Sequence, residues 1–265
     1  MPKVSVIMGT YNGEQMLDTA IQSICNQTFT DWEFIICDDC STDRTWEIIS
    51  QWEKKDPRIK GIRNSKNMKI AASSNRCIAL AKGKYIAKMD DDDLSYPERL
   101  EKEVRFLDEH PDFDFVSSLV ECYDGEKIVK NYIDRKPEPQ KEDFLAGMQF
   151  VNPVLMIRRE CLEKVNGYRV EKKTRRAEDY DLYMRLYAAG YRGYNIQERL
   201  LRYFVNPEVM KRKRKYRYRV DEALVRYEGF KALGLLPKGF PYVIRPLIVG
   251  LIPQRIIWYL KYKND

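Results

Sequence analysis

Histidine is almost absent, with His110 the one copy in 265 residues. Six cysteines are present, but only Cys37 and Cys40 stand at a Cys-x-x-Cys spacing, and no second pair follows them. A redox motif or a zinc site is the tempting use of Cys37-x-x-Cys40, but a structural zinc site needs four such ligands, and the pair reads instead as ordinary strand-end packing. Neither G-x-G-x-x-G nor G-x-x-x-x-G-K-[ST] occurs, which argues against a dinucleotide fold of the common type and against a P-loop. No apolar stretch approaches the roughly 20 residues needed to span a bilayer. Internal repeats and low-complexity linkers are missing too. A strand pattern begins at Val4 with nothing like a signal peptide before it, so the thiols are read as reduced and cytosolic.

What the chain does have is acid in one place. Asp90, Asp91, Asp92 and Asp93 close the strand-like run Tyr85-Ile86-Ala87-Lys88-Met89. Carboxylates packed this closely repel one another unless a cation neutralises them. Hard oxygen ligands at a strand end suit Mg2+ or Mn2+, which keep positions open for water and substrate phosphates. Helix capping is the simpler use of aspartate. Here, however, Ser95-Tyr96-Pro97-Glu98 reads as a capping box, which leaves the four acids surplus to capping. Metal–phosphate chemistry is therefore expected.

The formal charge of +7, from 47 basic and 40 acidic residues, is unevenly spread. Lys211 to Arg219 holds seven cations in nine positions with interleaved tyrosines. That run has the footprint of nucleic-acid binding. Such a role leaves the acidic strand end unexplained, and no nucleic acid is expected as a partner.

Val4 to Met8 reads as a buried strand followed by the loop Gly9–Gly13, and Leu17, Ile21 and Ile24 recur at helical spacing. Trp32 to Cys37 is a second strand, leading into Asp38-Asp39-Cys40-Ser41. A helix carrying Trp46, Ile49 and Trp52, a short strand Ile59 to Arg63 and a helix from Ala71 to Ala81 follow. Strand alternating with helix is the pattern of a parallel α/β sheet, whose ligands bind at the carboxyl ends of strands. The Gly9–Gly13 loop, Asp38-Asp39 and Asp90–Asp93 should then meet in one crevice. Later in the chain, Phe113 to Cys122 and Val151 to Ile157 read as strands. Tyr180 to Ala189 reads as a helix with Leu182, Leu186 and Ala189 as its apolar stripe, an Asp181–Arg185 pair and a stop at Gly190. Glu178-Asp179 opens that helix, where its N-terminus should hold a carboxylate ionised and able to accept a proton.

Taken in order, these motifs resemble the family 2 glycosyltransferases: Val4–Met8 with Tyr11-Asn12, Ser23 and Gln27, Asp38-Asp39-x-Ser41-x-Asp43, Asn75, Asp90–Asp93 with Pro97-Glu98-Arg99, and Glu178-Asp179 with Asp181-Leu182. The likeness runs from about residue 3 to 205 and is nearest to the bacterial exopolysaccharide and capsule transferases. It implies an α/β GT-A fold, a mixed central sheet flanked by helices with a C-terminal helical tail. It further implies a nucleotide-binding half over about 1–110 and an acceptor half over about 111–205, while the composition of 206–265 reads as a basic, helical, membrane-associating region. The activity it implies is inverting, metal-dependent transfer of a sugar from a UDP- or dTDP-sugar to a hydroxyl of a saccharide or lipid-linked acceptor.

The resemblance also implies roles for residues. Tyr11 stacks on the base, Asp39 accepts from a pyrimidine imide, and Lys69 stands where a relative has an arginine near the nucleotide. Thr10, Asn12, Asp38 and Asn75 join the nucleotide site, and Asp90 and Asp91 reach ribose or sugar hydroxyls. Asp92, with Asp90, holds Mn2+ or Mg2+, and Asp179, with Glu178, deprotonates the acceptor. The leaving diphosphate needs no acid, so one catalytic carboxylate suffices. Two positions depart from the family: Asn152-Pro153 replaces a frequent His-Pro, and Tyr203-Phe204-Val205-Asn206 a frequent Tyr-Arg-x-His. Cations at Lys211, Arg212 and Lys213 could replace the missing polar groups. The non-enzymatic alternative is a nucleotide-sugar-binding or clutch-like regulator on the same fold.

From Phe240 to Tyr262 the chain is apolar and aromatic, interrupted by Arg245, Pro246, Pro253 and Arg255. Two short amphipathic segments with Trp, Tyr and flanking cations suit a membrane interface. With the cations from 211 onward they would hold the protein on anionic lipid at the inner face of the cytoplasmic membrane. The plainer alternative is a helix pair packed on the domain.

Overall fold

A computed structural model describes residues 1–129, 134–205 and 215–251. Its first strands carry no alternation: all seven residues of β1 (Val4–Thr10) are buried, as are six of the seven in β2 (Trp32–Asp38). Such runs belong to strands covered on both faces. Val6 and Met8 face one layer with α1 (Leu17–Cys25) and α2 (Thr45–Lys55). Ile7 faces the other layer, with Ala71 and Cys77 of α3 (Ile70–Leu80). The period of two in the strand thus splits one apolar run between two cores.

With β3 (Ile59–Arg63) and β4 (Tyr85–Lys88), these strands form the parallel part of an eight-stranded mixed sheet, in the order β3-β2-β1-β4. The chain runs outward from β1 to β3 and then returns to the other side of β1. The order therefore reverses between β1 and β4, where such sheets open a crevice. Beyond β4, the sheet continues with β7 (Met156–Arg158), β6 (Phe115–Tyr123), β8 (Gly193–Phe204) and β5 (Leu94–Ser95). β7 is antiparallel to both neighbours, and β6 and β8 are parallel.

Several elements differ from the sequence reading. Val151 to Ile157 is a 3-10 turn over Asn152–Val154 followed by the three residues of β7, because Pro153 has no N–H for a sheet ladder. The twelve-residue β8 escaped notice because exposed Gln197, Glu198 and Arg199 break its apolar pattern, beside an irregular register at Ser118 and Leu119. The capping box does not form. Helix α4 (Arg99–Glu109) is capped across space by Gln27, whose Oε1 accepts from Leu100 N at 2.9 Å while Nε2 donates to Tyr96 O at 2.8 Å. Helix α6 (Glu178–Ala188) begins two residues earlier than expected, and Ala189 is exposed rather than part of the apolar stripe. The Asp181–Arg185 pair does form, at 2.7 Å.

After the short helix α5 (Arg159–Lys164), the C-terminal region folds as two helices, α7 (Arg217–Ala232) and α8 (Phe240–Leu251). Val225, Phe230 and Val243 are buried in the same cluster as Leu182 and Met184 of α6, so the pair packs on the domain. It also leaves Val220, Leu224 and Tyr227 of α7 and Phe240, Ile248 and Leu251 of α8 exposed. No described helix is long and apolar enough to cross a membrane. Lys211, Arg212, Lys213 and the apolar segment beyond Leu251 lie outside the described residues.

Candidate active site

The loop after β1 is tied down on both sides. The Thr10 hydroxyl donates to the Asp91 carboxylate. Gly13 sits so close beneath them that a Cβ there would stand 2.7 Å from Thr10 Oγ1 and run into Asp91. Asn12, at φ 55°, accepts from Thr42 N through its side chain and donates its own N–H to Ser41 Oγ, both at 2.9 Å. Thr10 and Asn12 therefore shape the crevice wall. Tyr11 is 48% exposed.

At the end of β2 the two aspartates separate. Asp38 is fully buried, accepting from Ser41 N and pairing with Arg63 Nε at 2.8 Å. These partners hold the loop at the position where the resemblance puts a nucleotide contact. Asp39 accepts from Asn64 Nδ2 at 2.6 Å, Met68 N at 2.7 Å and Lys69 N at 2.8 Å. A carboxylate has about four lone-pair sites, so one remains for a base. These bonds draw the 64–69 loop over β2 and fix Lys69 at φ 74°, with its side chain exposed. Asn75, also expected at the nucleotide, is engaged within the protein. Its amide donates to Tyr168 O at 2.7 Å and accepts from Tyr168 N at 2.9 Å, so it clamps α3 to the 167–168 turn and has little left for a ligand.

Four carboxylates crowd the end of β4. Thr10 holds Asp91, while Asp93 is fully buried and accepts from Phe204 N at 2.8 Å, joining the end of β8 to the cluster. Asp90 pairs with the ammonium of Lys88, which is 1% exposed and also donates to Met89 O at 3.0 Å. Burial pushes Asp92 up to about 7, with the neighbouring Asp90 and Asp91 charges adding to it.

Glu178 and Asp179 of α6 belong to the same electrostatic group. Burial, then the Asp179 charge, moves Glu178 up to about 7. Asp179 is pushed up to about 6 by burial, against an N–H···O bond of 2.7 Å from Tyr180 N, with Asp90 raising it further. Desolvation thus outweighs the helix N-terminus, which was expected to keep Asp179 fully ionised. The Tyr203 hydroxyl is raised by burial and then by Asp93, Asp90, Asp92 and Asp179 together. The strand-end acids and the α6 acid thus both raise the Tyr203 hydroxyl, after burial.

Among the described residues, no three acidic, histidine or cysteine side chains form a self-sufficient metal cage. The donors present fit a looser attachment. The Asp92 carboxylate takes no hydrogen bond from another described residue, and burial with the Asp90 and Asp91 charges disfavours its ionised form, which a cation would relieve. A hard cation held by one or two carboxylates, with waters and phosphates completing its shell, suits that arrangement. Asp90 fits less well, because Lys88 already takes one of its oxygens.

Sequence reasoning missed Lys88, although a lone cation inside an otherwise apolar strand just before four acids was the available signal. It also missed Tyr168, 3% exposed, whose hydroxyl donates to Asn152 Oδ1 at 3.1 Å. Asn152 is thereby engaged within the protein. Phe204 contributes its backbone N–H to Asp93 and its ring to Tyr123 at 5.6 Å.

Residues 5–165 match the profile of glycosyl transferase family 2. The putative glycosyltransferase EpsE of Bacillus subtilis is 39% identical over 262 residues, covering 97% of this chain and 92% of its own. The Escherichia coli UDP-Glc:alpha-D-GlcNAc-diphosphoundecaprenol beta-1,3-glucosyltransferase WfaP is 28% identical over 196 residues, 74% of each chain. Among solved structures, Staphylococcus aureus TarS 1-349 in complex with UDP-GlcNAc superposes with a TM-score of 0.73 at 19% identity, covering 96% of this chain and 82% of that one. Mannosyltransferase PcManGT of Pyrobaculum calidifontis, in complex with GDP-Man and Mn2+, gives 0.63 at 20% identity, with 94% and 74% covered. The mixed sheet is thus a GT-A fold, and the chain belongs to glycosyl transferase family 2 and is a glycosyltransferase.

Proposed function

We propose that the protein transfers a sugar, with inversion, from a UDP- or dTDP-sugar to a hydroxyl of a lipid-linked saccharide during bacterial surface polysaccharide synthesis. The observation that supports this reading is the tie between the strand ends, where the Thr10 hydroxyl of the loop after β1 donates to Asp91 at the end of β4, with Asp90 close enough to act electrostatically on Glu178 and Asp179 of α6. The relatives support the substrate classes: TarS is complexed with UDP-GlcNAc, and WfaP acts on a diphosphoundecaprenol acceptor.

On this reading, Tyr11 stacks on the base and Asp39 offers its remaining lone pair to a pyrimidine N–H. Asp92 holds Mn2+ or Mg2+ together with substrate phosphates, and the ion supplies Lewis-acid stabilisation of the leaving diphosphate. Asp90, steadied by Lys88, faces ribose or sugar hydroxyls. Asp179, near 6, is mostly ionised at neutral pH and still basic enough to accept the acceptor hydroxyl's proton. Glu178, beside it, keeps the local charge from doubling by holding a proton part of the time. The nucleotide half is about 1–110 and the acceptor half about 111–205. The exposed apolar residues of α7 and α8 support peripheral contact with the inner face of the cytoplasmic membrane.

A thermal-shift panel of UDP-, dTDP- and GDP-sugars, each with and without Mn2+, tests the donor. A shift with a pyrimidine donor that grows with Mn2+ is expected, and no shift with any donor overturns the assignment. Flotation with anionic liposomes, comparing the full chain with one ending near 235, tests the membrane contact. Equal flotation of both removes it.

A further inference from the structure

Between the start of α3 and the segment leading into α6 lies a cavity of about 190 Å³, whose lining includes Lys69, Arg169, Lys172, Arg175 and Glu178. The cations here divide into two groups. Arg169 reaches Asp181 at 3.4 Å and Glu228 at 2.6 Å, and Lys173 reaches Glu228 at 2.6 Å and Glu171 at 3.0 Å. Those pairs brace the segment on α6 and α7. Lys69, Lys172 and Arg175 are exposed and meet no carboxylate among the described residues. The segment therefore neutralises the cations that hold it in place and leaves three around one hollow, at a cost in mutual repulsion. Concentrated positive charge in a concave site raises the local concentration of anions, and Arg and Lys donors there bind phosphate oxygens strongly.

The donor diphosphate, on the reading above, is engaged at the acidic end of β4, which leaves Lys172 and Arg175 without a role toward it, while Lys69 stands between the nucleotide loop and this cavity. We infer that Lys172 and Arg175, with Lys69 opposite, form a second oxyanion subsite that binds the diphosphate of the acceptor. The inference rests on the glycosyltransferase reading and deepens it: the acceptor is a saccharide diphosphate rather than a neutral sugar. Three cations exceed what a single carboxylate needs and suit a doubly charged diphosphate. Glu178 in the same wall puts this subsite beside the residues assigned to acceptor deprotonation. The brace through Glu228 also joins it to α7, which carries part of the exposed apolar surface, so a lipid chain on the diphosphate has a face to lie along.

The test is calorimetric binding of decyl diphosphate to the full chain in divalent-free buffer, with uncharged decyl maltoside as control and UDP titrated separately. Wild type should bind decyl diphosphate and not decyl maltoside. K172A/R175A should weaken that binding about tenfold, roughly the loss of two exposed charge contacts, and K172R/R175K should retain most of it. UDP affinity should stay within about twofold in both variants. Decyl diphosphate binding that is unchanged in K172A/R175A, or matched by decyl maltoside, overturns the proposal. So does a loss of UDP affinity in that variant, which would give the cavity to the donor's own diphosphate. Failure of wild type to bind UDP even with Mn2+ counts against the proposed pyrimidine-nucleotide donor instead.

Discussion

The ammonium of Lys88 forms an ion pair with the carboxylate of Asp90 at the end of β4, with the lysine side chain 2% exposed and the aspartate 33% exposed. Beneath it, Arg99 Nη2 donates to Lys88 O at 2.7 Å, and Arg99 is itself paired with buried Glu103. The Lys88 charge favours the ionised forms of Asp91, Asp92, Asp93, Glu178 and Asp179 alike. A cluster this acidic is thus built around an internal cation before any ligand arrives.

Replacing Lys88 by Met removes that cation and leaves Asp90 facing five other carboxyl groups. The cost is about 2 kcal/mol of folding stability, below the 3–5 kcal/mol of a fully buried pair because Asp90 reaches water. Urea unfolding of K88M in EDTA measures it, and K88R should recover most of the loss. A change under about 0.5 kcal/mol in K88M would show that the pair does not support the site.

The raised carboxyl groups fix the sign of a pH effect on the metal-free protein. Asp92 and Glu178 near 7 and Asp179 near 6 bind protons more tightly folded than unfolded. Their contribution to stability is fully present below the unfolded values near 4 and is lost as pH rises through 6 and 7. The melting temperature in EDTA should therefore fall between pH 5 and 8 more steeply than in D92N, and Mn2+ should restore it at pH 8 in wild type. An identical pH slope in D92N would contradict this.

Asn75→Ala removes both bonds to the Tyr168 backbone and leaves a buried N–H and C=O unpaired. The expected cost is about 2 kcal/mol by urea unfolding, with UDP affinity changed less than about threefold. A large loss of UDP affinity without loss of stability would return Asn75 to the nucleotide site.

How far the sequence reached depends on how local each signal was. The β1-to-β4 alternation was readable because strands buried on both faces leave unbroken apolar runs and their helices show a 3.6-residue period. β8 was not readable, since its exposed middle has no period of two. The strand-end acids were visible as composition alone. What their neighbours do to them was not: the Gln27 cap lies 73 positions from Leu100, and the Asn75 clamp lies 93 from Tyr168. Asp38 and Asn75 match family motifs, yet their bonds to Arg63 and Tyr168 were not legible there, because a motif records a residue type and not the direction of its side chain. The free cations Lys172 and Arg175 became visible only once Arg169 and Lys173 were seen to be neutralised by Glu228.

Acceptor deprotonation by Asp179 should give kcat/KM an acid limb with an apparent pKa near 6 that is absent from donor binding. A profile flat from pH 5 to 8 would remove Asp179 as the base.

The most direct test is the rate of Mn2+-dependent sugar transfer from a pyrimidine-nucleotide donor to a diphosphate-linked acceptor by wild type and by D179N. Loss of a general base predicts a fall of about 10² to 10⁴ in kcat with donor affinity within about twofold. Transfer by D179N at the wild-type rate would contradict the assignment of α6 to catalysis, and with it the single hollow shared by Asp90, Asp92 and Asp179.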